Sequence, residues 1–321
     1  MFKLLKSFVK SLFTSDKEYN KDSMVKSFKM SFDNKDRIFK TGLRKDTPDD
    51  RDRLKVAAVN LEELKASVGQ DQLPKDFSLR VYAPDTGSFN QYSTSACGGF
   101  SSSALVHIVV KRMQALSDKG GMVKPFSPLW IYWNARMYDS FGNVSVATQQ
   151  LPDNGTTLRS VMKALAHPGA IEESQYPFGR NLPTEPPDAK ARSASTFKIN
   201  EYLRVPLNKG DETINLVKEI LAIEKLPIEL GVILYSEQMT NAKWNGYLKP
   251  VLDFNRANCI GGHAICITGY ITDKRTGKCY LEFINSWGKE WGEKGYGYFP
   301  IEWLNDSRYV MDAWTLNLEY F

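Results

Sequence analysis

Length, composition and charge set the first limits on this chain. It has 321 residues, with 42% hydrophobic and 25% charged side chains, which is close to the average for soluble globular proteins. No run of about 20 apolar residues could span a bilayer. We therefore expect a soluble protein with either two lobes or one domain and an appendage.

The positive charge is concentrated at the start of the chain. The net charge is +5, but residues 1–45 hold 12 Lys or Arg against 5 Asp or Glu. The rest of the chain is slightly acidic, which argues against nucleic-acid binding by the body of the protein. Contact with a polyanion is therefore expected only at the N-terminus.

Residues 2–13 place apolar side chains at helical spacing with lysines on the opposite face, which predicts a short basic amphipathic helix. Residues 24–32 repeat the pattern loosely. Such a helix either packs on its own protein or lies on an anionic membrane, and the pattern alone does not choose. Lysines interrupt its apolar run, which argues against a secretory signal peptide.

Residues 42–55, GLRKDTPDDRDRLK, are highly charged and lack apolar periodicity, so they are predicted to form an extended connector. We divide the chain accordingly into a basic extension (1–45), a connector (46–72) and a folded domain (73–321). A strand is predicted at residues 73–80, before a loop rich in Ser, Thr, Asn and Gly.

The folded domain changes character along its length. Helices are predicted from near Cys97 and at about 127–138, 156–166 and 211–224. Four later segments have the pattern of strands: IELGVILY, GGHAICITGYI, KCYLEFINSW and YGYFPIEWL. This order predicts an α+β fold, with a helical lobe at about 90–190 and a barrel-like antiparallel sheet lobe at about 191–321. The cleft between two such lobes is a common place for an active site.

The cysteines and histidines supply few candidates for chemistry. The cysteines are Cys97, Cys259, Cys266 and Cys279. Cys97 follows a turn and opens a helix, whose amides and dipole lower the pKa of a thiol, so it is expected to be the most reactive of the four. Taken alone, it is also consistent with a small buried hydrophobic residue.

Three histidines could serve as a base. His107 lies in the apolar run ALVHIVV and His167 precedes a proline at a helix end, and both positions are typical of structural histidines. His263 lies between two glycines and a strand that would hold its imidazole rigidly. Asn285 follows the next strand. A thiol, an imidazole and an acceptor that orients the imidazole are the parts that thiol catalysis requires.

Four blocks of sequence resemble the papain-like cysteine peptidases, over about residues 73–305. They are QYSTSAC, which spaces Gln91 and Cys97 by six; GGHAICITGY around His263; NSWGKEWGEKGY from Asn285; and NGTTLRSVMKALAHPGAIEESQYPF between the first two. His263 follows Cys97 by 166 residues and Asn285 follows His263 by 22. These separations fit the papain order and scale, and fit poorly with short cell-wall amidases.

The resemblance implies a role for each matching residue. Cys97 would be the nucleophile, His263 the base and acid, Asn285 the group that orients the imidazole, and Gln91 an oxyanion-hole donor. Trp287 would shield the pair formed by His263 and Asn285, and Trp291 would line the leaving-group side. Substrate contacts are expected from Asn154 and Gly155 on the acyl side, and from Gly262 and Ala264 beside the second specificity pocket.

The chain also departs from the family pattern. Gly98 stands where most members have tryptophan after the nucleophile, and Thr94 stands where secreted members have a bridged cysteine. The first difference favours the bacterial and viral branch of the family. The second favours a reducing compartment, inside a cell or a virion.

The resemblance therefore implies a peptidase that cleaves peptide or isopeptide bonds through a thioester, without cofactor or metal. We expect a monomer that acts on a protein or peptide. Two alternatives stay open: a catalytically silent binding scaffold, and a thiol amidase acting on peptidoglycan peptides. We also expect part of residues 1–72 to cover the cleft and to be displaced or cut on activation, although a tail that binds an anionic membrane explains its charge equally well.

Overall fold

The computed structural model describes residues 26–32, 35–55, 73–117, 121–142, 151–183, 186–194, 196–255 and 257–316. The amphipathic helix predicted at residues 2–13 lies outside these ranges. Residues 56–72, the larger part of the predicted connector, also lie outside them. The described part combines helices with a large antiparallel sheet. The α+β class predicted from the sequence is therefore confirmed.

Six α-helices are present in the described ranges. They are α1 (Cys97–Leu116), α2 (Pro128–Phe141), α3 (Leu158–Ala166), α4 (Ala189–Ser193), α5 (Asp211–Ala222) and α6 (Ser236–Ala242). Local sequence explains their ends. Ser127 caps α2 by accepting the Trp130 amide, and Gly142 ends it in the left-handed region, with φ of 71°.

Nine strands are described in the same ranges. They are β1 (Ser27–Phe32), β2 (Lys35–Lys40), β3 (Phe77–Ser78), β4 (Tyr202–Arg204), β5 (Ile228–Tyr235), β6 (Cys259–Thr272), β7 (Cys279–Ile284), β8 (Tyr296–Pro300) and β9 (Val310–Leu316). Short 3-10 helices lie at Arg80–Tyr82, Thr86–Ser88, Glu173–Gln175 and Ile301–Asn305.

The main sheet has seven strands, in the order β4-β9-β5-β6-β7-β8, with β3 paired to β6. Its end strands β4 and β8 do not pair with each other in the described residues, so the sheet is open. The prediction of a barrel-like closure is therefore wrong. Every residue of β5 is buried, which suits a strand at the centre of the sheet with α1 against one face.

Residues upstream of the predicted domain are also folded. The helical repeat predicted at 24–32 is wrong, because β1 and β2 pair as an antiparallel hairpin. Met30, Phe32, Phe39 and Leu43 are buried and join the main hydrophobic core. The hydrophobic core therefore includes residues upstream of position 73.

None of the helices in the described part of the chain is long and apolar enough to cross a membrane.

Candidate active site

Cys97 is the first residue of α1, and it is fully buried in this structure. Backbone amides of Ala264, Gly42 and Gly98 lie near its sulfur, and each lowers the pKa of the thiol. Gly98 follows it in the helix, whereas Ala264 belongs to β6 and Gly42 to the upstream segment. Three parts of the chain therefore meet at this thiol.

His263 lies on β6, directly before Ala264, and so on the strand that contacts the thiol. Its Nε2 lies 2.8 Å from Oδ1 of Asn285. The same Asn285 oxygen accepts the Ser286 amide at 2.8 Å, which identifies the atom facing the imidazole as the oxygen. Nε2 must then carry the proton, which leaves Nδ1 as the basic nitrogen. Among the described residues, Nδ1 is buried and has no hydrogen-bond partner, so it is free to accept a proton.

Trp287 covers the imidazole. Its ring centroid is 4.6 Å from that of His263, with 31° between the planes. Trp291 meets Trp287 edge-on at 5.4 Å and packs against Phe283 at 5.9 Å, and it is 1% exposed. Trp287 therefore packs on the His263 imidazole, and Trp291 packs on Trp287 and Phe283.

Gln91 is held on the edge of the site by the loop after β7. Its backbone amide donates to the Ser286 carbonyl at 2.8 Å, and its Oε1 accepts the Ser286 hydroxyl. These bonds fix which end of the side chain points into the cleft. Its Nε2 donates to the carbonyls of Thr94, at 2.7 Å, and Lys40, at 2.9 Å.

The residues predicted to bind substrate are only partly placed as expected. Asn154 is exposed and Gly155 donates its amide to the Tyr132 hydroxyl at 3.1 Å. The residue that forms backbone bonds across the cleft is their neighbour Thr156, which the sequence interpretation missed. Its position directly after the NG pair was the available signal.

The upstream segment runs through the cleft between these elements. The amides of Gly42 and Leu43 donate to the Gly262 carbonyl at 3.1 and 2.9 Å. On the other side, the Arg44 amide donates to the Thr156 carbonyl and the Thr156 amide donates to the Gly42 carbonyl, both at 2.9 Å. The segment therefore bridges β6 and the helical side of the cleft by main-chain bonds.

Leu43 fills a pocket in the sheet side of the cleft and is completely buried. A side chain built on Gly231 would come within 2.8 Å of Leu43 Cδ2 and 2.4 Å of Asp312 Oδ1, and one built on Gly262 would meet the Leu43 carbonyl and Met311. Gly231, Met311 and Asp312 were not predicted as pocket residues. Gly262, which was predicted to border the second specificity pocket, adjoins the buried Leu43.

Gly42 crosses the cleft at a very close approach. A Cβ at this position would lie 2.0 Å from the Ser95 carbonyl oxygen, a distance that backbone atoms cannot relieve without moving. The nearby Gly42 backbone amide lowers the pKa of the Cys97 thiol, but its N–H donates to the Gly262 carbonyl at 3.1 Å.

Ion pairs anchor the segment on both sides of the cleft crossing. Lys40 Nζ lies 2.8 Å from Asp153 Oδ2, and Arg44 lies 2.7 Å from Asp139. Farther along, Arg159 of α3 pairs with Asp52 at 2.5 Å, and its backbone amide donates to the buried Asp46 at 3.2 Å. The ion pair between Arg159 and Asp52 is well shielded from water. A shielded ion pair is screened less by salt than an exposed one.

Burial controls the ionisation of the candidate pair. It raises the pKa of Cys97 to about 12, against the opposing effect of the nearby backbone amides. It also lowers the pKa of His263 to about 4, against the opposing effect of Asn285. Thiol and imidazole are therefore both neutral at pH 7 with the segment in place. The expectation of a depressed pKa for Cys97 is wrong for this closed arrangement, because desolvation outweighs the helix terminus.

Comparisons with known proteins concern the family and the fold. Residues 148–307 match the family described as papain family cysteine protease. The crystal structure of xylellain, a cysteine protease from Xylella fastidiosa, superposes on this chain with a TM-score of 0.67 and 23% sequence identity. The superposition covers 86% of this chain and 95% of xylellain. Digestive procathepsin L 3 of Tenebrio molitor superposes with a TM-score of 0.58 over 84% and 75%, at 18% identity. Just under half of the chain therefore matches the papain family of cysteine proteases, and the described part of the structure has the fold of these two proteins.

Two relatives by sequence show how far the similarity extends. An uncharacterised peptidase C1-like protein of Acanthamoeba polyphaga mimivirus is 26% identical over 197 residues, which cover 59% of this chain and 58% of the viral protein. Peptidase 1 of Psoroptes ovis is 25% identical over 246 residues, 73% of this chain and 63% of its own. The chain thus spans about three fifths of the length of these two relatives.

Proposed function

We propose that this protein is a cysteine peptidase that cleaves peptide or isopeptide bonds in an extended substrate through a thioester acyl-enzyme. Cys97 is the nucleophile, and Nδ1 of His263 takes its proton and later returns it to the leaving amine. Asn285 orients the imidazole through Nε2. The observation that carries this proposal is the 2.8 Å contact between His263 and Asn285. The residue after His263, Ala264, has its backbone amide near the Cys97 sulfur.

The oxyanion of the tetrahedral intermediate is stabilised by Gln91 Nε2 and by the backbone amide of Cys97. The first of these donors already binds a carbonyl oxygen, that of Lys40, which supports its ability to bind an oxygen in the cleft. The Cys97 amide lies at the N-terminus of α1, where helix amides lack intrahelical partners. Loss of one such donor typically costs ~3 kcal/mol of transition-state stabilisation.

The peptide substrate takes the path that the upstream segment now occupies. The Gly262 carbonyl and the Thr156 amide and carbonyl are the main-chain groups available to it, and the Leu43 pocket accepts one side chain. These groups lie on both walls of the cleft, so they would hold an extended chain in register across the thiol.

Residues 40–44 keep this peptidase latent. They use the main-chain bonds that a substrate needs, and they bury a thiol and an imidazole that must ionise to react. Displacement or cleavage of the segment admits water and substrate, which removes the desolvation that keeps Cys97 neutral. The basic extension, residues 1–45 with 12 Lys or Arg against 5 Asp or Glu, provides a handle for displacement through a protein partner or an anionic surface.

Hydrolysis of a fluorogenic peptide library by the protein and by Cys97→Ala tests this function. The proposal predicts cleavage of amide bonds by the protein, increased after the segment is displaced, and no cleavage by the variant. Cleavage restricted to peptidoglycan peptides would favour the amidase alternative. Peptide binding without turnover, equal in both proteins, would favour the scaffold.

A further inference from the structure

A buried acid lies beneath the candidate nucleophile and takes no part in the chemistry described so far. Glu229 is the second residue of β5 and is fully buried. Its carboxyl contacts α1 one turn after Cys97, where Oε1 bonds the Ser101 hydroxyl and Oε2 accepts the Ser102 hydroxyl at 2.6 Å. A side chain from the sheet lobe is thus bonded to the start of the helix that carries Cys97.

The number of protons in this cluster favours a neutral Glu229. The Ser101 hydroxyl also lies 3.2 Å from the Gly98 carbonyl oxygen, but a hydroxyl has one proton to donate. If Glu229 is ionised, Ser101 must choose between the two oxygens. If Glu229 is protonated, it donates to Ser101, which donates to Gly98, while Ser102 donates to the second carboxyl oxygen. Every polar atom of the cluster is then satisfied.

The charges around Glu229 favour the same state. No Lys or Arg forms an ion pair with it in the described part of the chain, and an unpaired charge is costly to bury. The titratable groups that face it are Cys97 of α1, Cys266, which pairs with it on β6, and the carboxyl of Asp46. Burial and Asp46 raise the pKa of Glu229 to about 7, although both serine hydroxyls oppose the shift.

We propose that Glu229 is a positioning residue that works as a neutral acid: it ties the sheet to the first turns of α1, and loss of its proton opposes formation of the Cys97 thiolate. This inference rests on the proposed role of Cys97. A negative charge at Glu229 raises the pKa of the Cys97 thiol, so peptidase activity decreases as Glu229 ionises. The acid therefore sets an alkaline limit on the reaction.

Glu229→Gln tests the proton directly, because the amide can donate to Ser101 as the protonated acid does but cannot ionise. The melting temperature of the full chain is measured for both proteins from pH 4.5 to 9. A folded-state pKa above the unfolded value means that the wild-type protein loses stability as pH rises toward 7. The variant avoids that loss, so its melting temperature should exceed the wild-type value by a few degrees above pH 7 and by little near pH 5.

Ser102→Ala provides the second variant and shifts the effect in a known direction. It keeps the carboxyl but removes one hydroxyl that lowers the pKa of Glu229, so the stability loss should move to higher pH. In peptide hydrolysis, the ratio of kcat/KM for Glu229→Gln to the wild-type value should rise several-fold between pH 6 and 8.

The inference would be overturned if the melting temperature changed with pH in the same way in all three proteins. It would also be overturned if the ratio of kcat/KM for Glu229→Gln to the wild-type value did not change with pH. If Glu229→Gln does not fold, the pH shift of Ser102→Ala decides. If no protein cleaves peptide at any pH, the proposed function fails, but the melting temperatures still decide whether Glu229 is held protonated.

Discussion

Gln91 and Lys40 are joined across the cleft by a hydrogen bond of 2.9 Å from the Gln91 side-chain amide to the Lys40 carbonyl. The proposed oxyanion donor is therefore occupied by the protein's own upstream segment. The closed cleft and the proposed chemistry depend on the same groups. The effect on activity of a substitution in the segment should therefore depend on whether the site is also substituted.

Gly42→Ala should open the cleft without removing any residue. The added methyl group would lie 2.0 Å from the Ser95 carbonyl, and such overpacking costs about 1–3 kcal/mol. The closed state should lose about 5- to 150-fold in population relative to the open state. Activity on a short fluorogenic peptide should rise accordingly.

Gly121→Ala is the matched control, because its Cβ would meet only a side-chain atom 3.9 Å away. It should leave activity unchanged. Equal activity of Gly42→Ala and the wild-type protein would contradict the claim that this crossing keeps the peptidase latent.

Gln91→Ala should lower kcat by about 10²–10³-fold, the usual effect of losing one oxyanion donor. The change should fall on kcat more than on KM, because the bond is strongest to the developing negative charge. Steady-state kinetics in the Gly42→Ala background separates this effect from opening of the cleft. An effect on KM alone would assign Gln91 to substrate binding.

His263→Ala should abolish turnover, since a general base typically contributes about 10²–10⁴-fold. Asn285→Ala should be milder, because it removes orientation and leaves the proton acceptor. His107→Ala and His167→Ala are the controls and should keep most of the activity. An inactive His167→Ala protein would show that the assignment of the catalytic residues is wrong.

The electrostatic interaction between Asp46 and Asp312 should become less favourable as pH rises. Asp46 lies in the upstream segment and Asp312 on β9, and both are buried. Burial and the Asp46 carboxyl raise the pKa of Asp312 well above its ordinary value, against the effect of Arg204. The stabilisation is complete below the unfolded pKa, which is about 4, and is lost as pH rises through the folded value.

Hydrogen exchange of the Gly42 and Leu43 amides can measure this effect. Their protection factors should fall with rising pH in the wild-type protein and should change less in Asp312→Asn. Asp253→Asn, at an exposed site, should behave as the wild type does. The same pH dependence in Asp312→Asn and the wild type would remove Asp312 from the closure of the cleft.

The sequence predicted the elements that have strong local patterns. IELGVILY forms β5 with the predicted bounds, and α1 begins at Cys97 as expected. The short β4 and the final strand β9 were not predicted, since each is defined by pairing with distant strands. Residues 27–32 appeared helical because their apolar spacing fits either period over so few residues.

The candidate site shows the same division between local and distant information. Cys97, His263 and Asn285 stand in motifs, so their positions could be predicted. Glu229 and Asp312 lie in strands with no motif. Glu229 bonds to α1 and Asp312 lies beside the upstream segment only because the sheet packs against both. The thiol pKa was predicted in the wrong direction, because the sequence does not reveal which residues bury Cys97.

The most direct test of the account is to find which thiol a peptidyl epoxide labels, by peptide mapping of the wild-type and Gly42→Ala proteins. Cys97 should be labelled slowly in the wild type, where the segment buries it, and rapidly in Gly42→Ala. Labelling of Cys97 should be lost in His263→Ala placed in the same background. Equal labelling of Cys97 and the half-buried Cys279, whether the cleft is closed or open, would contradict the central claim that Cys97 is the nucleophile.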